Sequence, residues 1–227
     1  MADEGSAAAP EVPLRRRRRR RRSWVRRSLL LAGVAMIAGG IYLITVPLIG
    51  VWQRGRADQS ALTQWNSGGS ATLVGPAVGP AADAADRPRT CAAGSGASDL
   101  YALVSFPSLP QYGYRGVAGD GTWDMLLHRS MVHYHGTAAP GQKGNDVIAF
   151  HREPHFEHID QLKAGDEVDI QDRSCVVYRY RITGRWVLPP NKVTQLNPTG
   201  GYDLTLVTCT PWFRDYDRIV WRASLLG

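Results

Sequence analysis

Net charge is missing from most of this chain. The formal charge of +7 on 227 residues first suggests a nucleic-acid or membrane partner, but ten of the 27 Lys/Arg and three of the 20 Asp/Glu fall in residues 1–27. Residues 28–227 therefore hold 17 of each sign and are neutral, which argues against a nucleic-acid-binding body. Charge of either sign is absent from Leu29 to Gln53, which excludes an ordinary surface segment there. Cysteine is scarce, with three residues (Cys91, Cys175, Cys209), so at most one disulfide forms within the chain. There is no HExxH, no paired-cysteine motif and no internal repeat, so the common zinc signatures and solenoid architectures find no support.

The uncharged stretch LLLAGVAMIAGGIYLITVPLIGVW is 24 residues long. As a helix rising ~1.5 Å per residue it reaches roughly 36 Å, enough to cross a hydrocarbon core of ~30 Å with some tilt. A cleaved signal peptide has a shorter apolar centre, so residues 28–52 read as an uncleaved signal anchor, with Pro47 near the far end. The run Arg15–Arg22 with Arg26 and Arg27 precedes it, and flanking Lys/Arg stay cytoplasmic. Residues 1–27 are thus expected to form an inner tail facing anionic lipid, with everything beyond about Arg54 outside the cell membrane.

Residues 53–98 are rich in Ala, Gly, Ser and Pro and read as a flexible stalk or linker, with Ala57–Trp65 as a short helical continuation of the span. From residue 99 to 227 the texture changes to short β-branched and apolar runs cut by Gly, Pro and Asn/Asp signals, the pattern of an all-β barrel or sandwich. LYALVSF, DVIAFHR, EVDIQD, CVVYRYRITG, RWVLP, YDLTLVTC and RIVWRASL are each about one strand long, with turns expected at GDG, PGQKGND, KAGD, TGR and NPTGG. In CVVYRYRI the alternation puts Val176, Tyr178, Tyr180 and Ile182 on one face. WDMLLHR and HFEHIDQL are the best short-helix candidates in this part.

A bond between Cys91 and Cys175 would leave Cys209 as a lone thiol, either a small buried hydrophobe or a nucleophile. Two features favour the nucleophile. Cys209 stands where a strand stops, before Thr210 and Pro211, and Arg218 opens the next strand after a loop short enough to return the chain beside it. A guanidinium there favours a thiolate or binds the oxyanion formed when a thiolate attacks a carbonyl. The proton acceptor is sought among six histidines, His128, His133, His135, His151, His155 and His158, all within one window of 31 residues. His151 is the one that ends a strand-like run, VIAFHR, as Cys209 does. The pairs His133/His135 and His155/His158 also have spacing suited to a metal, or to a polar surface near a cleft.

These residues carry a family resemblance. TLVTC (Thr205–Cys209) with an arginine in the next strand, HYHGTAAPGQKGNDVIAFHR ending at Arg152, and FEHIDQLKAGDEVDI (Phe156–Ile170) resemble, in order, the signature segments of the sortases, membrane-anchored cysteine transpeptidases of Gram-positive bacteria. The likeness is strongest to the class E housekeeping sortases of high-GC actinobacteria. Two departures lie beside the histidine: Phe150 stands where the family commonly has glycine, and the segment from Arg152 to Phe156 is short.

The resemblance implies an eight-stranded β-barrel with short helices, His151 as catalytic histidine, Cys209 as nucleophile and Arg218 as the positioning or oxyanion-binding arginine, with Tyr134, Thr208 and Trp212 as candidate pocket residues. It implies cleavage of an LPxTG- or LAxTG-like sorting signal on a secreted protein through a thioacyl enzyme, and transfer to an amine of a cell-wall peptide or peptidoglycan precursor. No cofactor is required, and no calcium-loop pattern is visible. Two other outcomes fit the bare residues: a hydrolase with water as acceptor, and a non-catalytic membrane-tethered binding domain.

Overall fold

The computed structural model describes residues 15–67 and 99–227, with side chains from residue 24. The chain divides into two compact units, Met1–Leu48 and Ile49–Gly227. One helix, α1 (Arg15–Ser67), contains Pro47 and includes the uncharged stretch. It is long and apolar enough to cross a membrane. Most of its apolar side chains there are exposed among the described residues, Met36 being 77% and Leu43 73% exposed.

The second unit is a closed barrel of eight strands: β1 (Leu100–Ser105), β2 (Arg115–Gly121), β3 (Met131–Tyr134), β4 (Gly144–Phe150), β5 (Glu167–Gln171), β6 (Val177–Leu188), β7 (Tyr202–Thr210) and β8 (Asp217–Leu225). Their order is β1-β2-β3-β4-β7-β8-β6-β5, closing on β1, so none of these strands is left as an open edge. The β2–β3 and β4–β7 pairs are parallel and the rest antiparallel. One consequence governs the site: β4 and β7 end at the same rim where β2, β3 and β8 begin.

The expected all-β barrel is therefore present, and Val176, Tyr178, Tyr180 and Ile182 all point into its core. Three of the four phenylalanines, Phe106, Phe150 and Phe156, lie in that core, and Phe150 packs edge-on against Phe156 and parallel to Trp221. A smaller apolar layer, Val132, Ala149, Val207 and Val220, covers the outer faces of β3, β4, β7 and β8 beneath Met125, Leu126, Val193 and Leu196.

Several elements differ from expectation. GDG (119–121) closes β2 rather than forming a turn. TGR does not separate two strands: β6 is continuous, absorbing the irregularity as a register shift between Ile182 and Gly184. Gly184 suits that bulge because a Cβ there would stand 2.5 Å from the Trp186 ring. The two short-helix candidates are single 3-10 turns, Trp123–Leu127 and Ile159–Gln161.

Residues 54–67, expected within the stalk with Ala57–Trp65 as a short helical continuation of the span, are helix throughout, and their inner face belongs to the barrel unit. Asp58, Ala61, Leu62 and Trp65 recur at helical spacing on one side. Ala61 and Trp65 are buried with Leu100, Val117 and Cys175, and the Trp65 indole donates to Gln171 Oε1 at 3.2 Å. Cys175 is disulfide-bonded and Cys209 is free. Cys91, the partner considered for Cys175 in the sequence, lies with residues 68–98 outside the described residues.

Because Trp65 is 2% exposed, Trp65→Ala should leave a large cavity between α1 and the barrel. Such truncations cost ~3–5 kcal/mol, so the melting temperature of the detergent-solubilised full chain should fall by on the order of 10 °C. A melting temperature within about a degree of the parent would show that α1 does not brace the barrel.

Candidate active site

Strand register assembles the site. Phe150 pairs with Thr208 in the parallel β4–β7 ladder, so His151, one residue past β4, comes level with Cys209. The His151 N–H extends the ladder on the other side by donating to Ser130 O at 2.8 Å. In the antiparallel β7–β8 ladder Cys209 pairs directly with Arg218.

Side-chain alternation then fixes the face. Ala149, Val207 and Val220 lie in the outer apolar layer and Phe150 in the core, so His151, Cys209 and Arg218, each two positions from an outward residue, share the outer face of the rim. The structure thus brings together the three residues expected from the strand ends.

The surroundings of each group set its chemistry. His151 Nε2 is 2.8 Å from Leu126 O, in the 3-10 turn that lies over this face. Burial pushes the imidazole below its ordinary value, and Arg54 adds to this, while the Leu126 bond, Glu153 and Asp58 oppose it. Burial pushes the Cys209 thiol up, and Arg218 pulls it back while Glu153 and Asp215 add to the rise. Desolvation outweighs the charges in both cases, so the resting pair is thiol and neutral imidazole. Arg218 donates from Nη1 to the carbonyls of Asp215 (2.8 Å) and Asp217 (3.1 Å), which fixes it against the β7–β8 loop.

Glu153, whose Oε1 accepts the Phe213 N–H, ties the segment after His151 to that same loop. The neighbouring Arg152 is 4% exposed and pairs with Asp160 at 3.1 Å, with Thr210 Oγ1 at 3.3 Å and with Glu157 O. It braces the rim from below.

The other candidates separate. Thr208 is buried and donates to Phe150 O at 2.6 Å, stitching β7 to β4. Trp212 is exposed on the β7–β8 loop, edge-on to Phe213 at 4.4 Å. Tyr134 stacks on Trp123 at the far end of β3, three residues from the Met131 that faces Phe150, so it is not brought to the thiol. His133 and His135 both engage Asp120, at 2.8 and 3.0 Å, and Tyr101 stacks on His133. His158 packs on Tyr112. Among the described residues no group of three or more His, Cys, Asp or Glu is arranged to hold a metal ion.

Residue reasoning missed Arg54, Asp58, Ser130 and Glu153. The only sequence signal for the helical pair was the Asp58–Ala61–Leu62–Trp65 spacing.

A closed eight-stranded barrel with a free thiol at its rim, level with a histidine and an arginine, is the build of a β-barrel cysteine transpeptidase. The chain belongs to the sortase family: the sortase domain matches residues 108–226. Sortases attach proteins or pilins to the cell wall. Among solved structures the chain is similar to a Clostridium perfringens sortase D5 transpeptidase, at 26% identity and TM-score 0.52 over 77% of this chain and 98% of that one. It is also similar to sortase A from Corynebacterium diphtheriae (24%, TM-score 0.50, 56% of this chain and 61% of that one). A pilus-related sortase C of Group B Streptococcus gives 24% and 0.50 over 57% and 69%. The last two show the fold alone. No curated protein sequence matches the chain.

Since the thiolate is the species alkylated, the rate of Cys209 reaction with iodoacetamide should rise with pH through a midpoint above that of an ordinary thiol. Arg218→Ala removes a charge that favours the thiolate and should move the midpoint higher; Glu153→Gln removes one that opposes it and should move it lower. Shifts of the opposite sign would contradict this electrostatic account.

Proposed function

We propose that this chain is a membrane-anchored sortase of the class E kind, which cleaves an LPxTG- or LAxTG-like sorting signal and joins the secreted protein to a cell-wall amine. The observation that carries the reading is the cross-strand pairing of Cys209 with Arg218, level with His151. Cys209 attacks the threonine carbonyl of the signal. Arg218, through donors other than those holding the loop carbonyls, stabilises the oxyanion, and His151 in its imidazolium form protonates the departing amine. An amine then resolves the thioacyl enzyme.

Because the buried pair rests as thiol and imidazole, the reacting thiolate–imidazolium is the minor form. Activity should be greatest between the two apparent pKa values and fall on either side.

The arginine run before an uncharged helix supports an inner N-terminus and an outer catalytic domain. It also supports contact of the tail with anionic lipid. The Arg-rich tail, the span and the Ala/Gly-rich segment that follows favour class E. Of the pocket candidates, Trp212 is supported as a substrate contact by its exposure on the loop between Cys209 and Arg218.

Cys209→Ala should abolish both hydrolysis and transpeptidation of a fluorogenic sorting peptide, with the circular dichroism of the barrel unchanged. His151→Ala and Arg218→Ala should each lose at least ~100-fold in kcat/KM. Undiminished turnover by Cys209→Ala would sink the proposal. With an added peptide amine, the product should shift from acid to amide; acid alone at every amine concentration would mark a hydrolase instead.

A further inference from the structure

A cavity of about 300 Å³ opens beside the rim, between α1 and the starts of β2 and β3. Asp58 and Leu62 line it from the helix, and Tyr114, Arg115, Ser130 and His155 from the barrel. Two of its polar atoms, Asp58 Oδ2 and Ser130 Oγ, are buried with no hydrogen-bond partner. Ser130 is itself only 2% exposed. The other carboxylate oxygen is occupied, accepting the Ser130 N–H at 3.1 Å.

A buried carboxylate oxygen accepts and cannot donate, so leaving it without a donor is costly. A bound group carrying N–H donors removes that cost. The volume is at the small end of ligand pockets, right for an amine and the few atoms that carry it.

The position of the cavity relative to the chemistry narrows the ligand. Ser130 O accepts the His151 N–H, so Ser130, His151, Cys209 and Arg218 follow one another around the rim on consecutive strands. At ~4.8 Å per strand, the Ser130 wall is roughly 10 Å from the thiol with the imidazole between them. The charged groups that act on that imidazole are Arg54 and Asp58 from α1 and Glu153 from its own segment, while Leu126 O holds its ring.

We propose that this cavity is the acceptor subsite, where Asp58 and Ser130 receive the primary ammonium of the incoming peptide on the His151 side of the thioester. The inference rests on the transpeptidase reading. In the second half-reaction the ammonium gives one proton to His151, and the free amine crosses to the thioester and forms the C–N bond. The C–S bond breaks, a second proton leaves to solvent, and Cys209 thiolate and His151 imidazolium are regenerated. Arg115, also lining the cavity, suits a carboxylate or carbonyl of the same peptide. The helix leaving the apolar span thus supplies part of the substrate site.

The test uses the full chain in detergent, a sorting peptide and triglycine as acceptor, with the amide and acid products quantified by mass spectrometry. Both products come from one thioacyl pool, so their ratio is independent of how much thioacyl enzyme forms. Asp58→Asn, which keeps an oxygen for the Ser130 N–H but removes the charge, and Ser130→Ala, which removes only the hydroxyl, should each lower the amide-to-acid ratio by about 10-fold. Each should also raise the half-saturating triglycine concentration. An unaltered ratio and saturation in both variants, with the thioacyl adduct present, overturns the inference alone. Absence of any adduct in the unaltered protein overturns the transpeptidase reading and the inference with it.

Discussion

The site depends on the parallel pairing of β4 with β7. Parallel strands end at the same rim, and the register Phe150–Thr208 brings the residues that follow, His151 and Cys209, level with each other. Slipping that register by one residue would turn every outward side chain inward and separate imidazole from sulfur. The pairing is held from both sides. Ile148, Phe150 and Leu206 are locked in the core, Ala149 and Val207 lie in the outer layer, and the Thr208 hydroxyl binds the Phe150 carbonyl. Phe150, placed where the resemblance led one to expect glycine, is part of this lock through its packing on Phe156 and Trp221.

Chemistry is added to that frame by loops and one helix. The β7–β8 loop returns Arg218 to Cys209 and is pinned to the segment after His151 by Glu153. The turn Trp123–Leu127 caps the imidazole through Leu126, and α1 brings Arg54 and Asp58 to the same histidine. Burial disfavours the His151 imidazolium and the Cys209 thiolate; the Leu126 carbonyl, Glu153 and Asp58 oppose the first effect and Arg54 adds to it, while Arg218 opposes the second and Glu153 and Asp215 add to it.

Much of this was legible in the residues. The strand ends VIAFHR and TLVTC, the returning Arg218 and the alternation of CVVYRYRI each reported its place, because half-buried strands write their orientation into a period of two. What was not legible has physical reasons. β2 (RGVAGDG) is glycine-rich and lacks the β-branched signal of a strand, and β3 has only four residues. β6 hides a bulge in a TGR sequence that resembles a turn. Asp58 and Ser130 matter through contacts 72 residues apart in sequence, and Asp58 sits at the start of a stretch whose composition resembles a linker.

The β4–β7 register sets His151 level with Cys209, and disulfide trapping measures it most directly. Laterally adjacent positions on parallel strands have Cα atoms ~5 Å apart, within the range a disulfide spans. His151→Cys in the full chain under mild oxidation should lose both free thiols and yield a cross-linked peptide joining the β4 end to the β7 end. Two thiols that remain titratable under the same conditions would contradict the register and the site built on it.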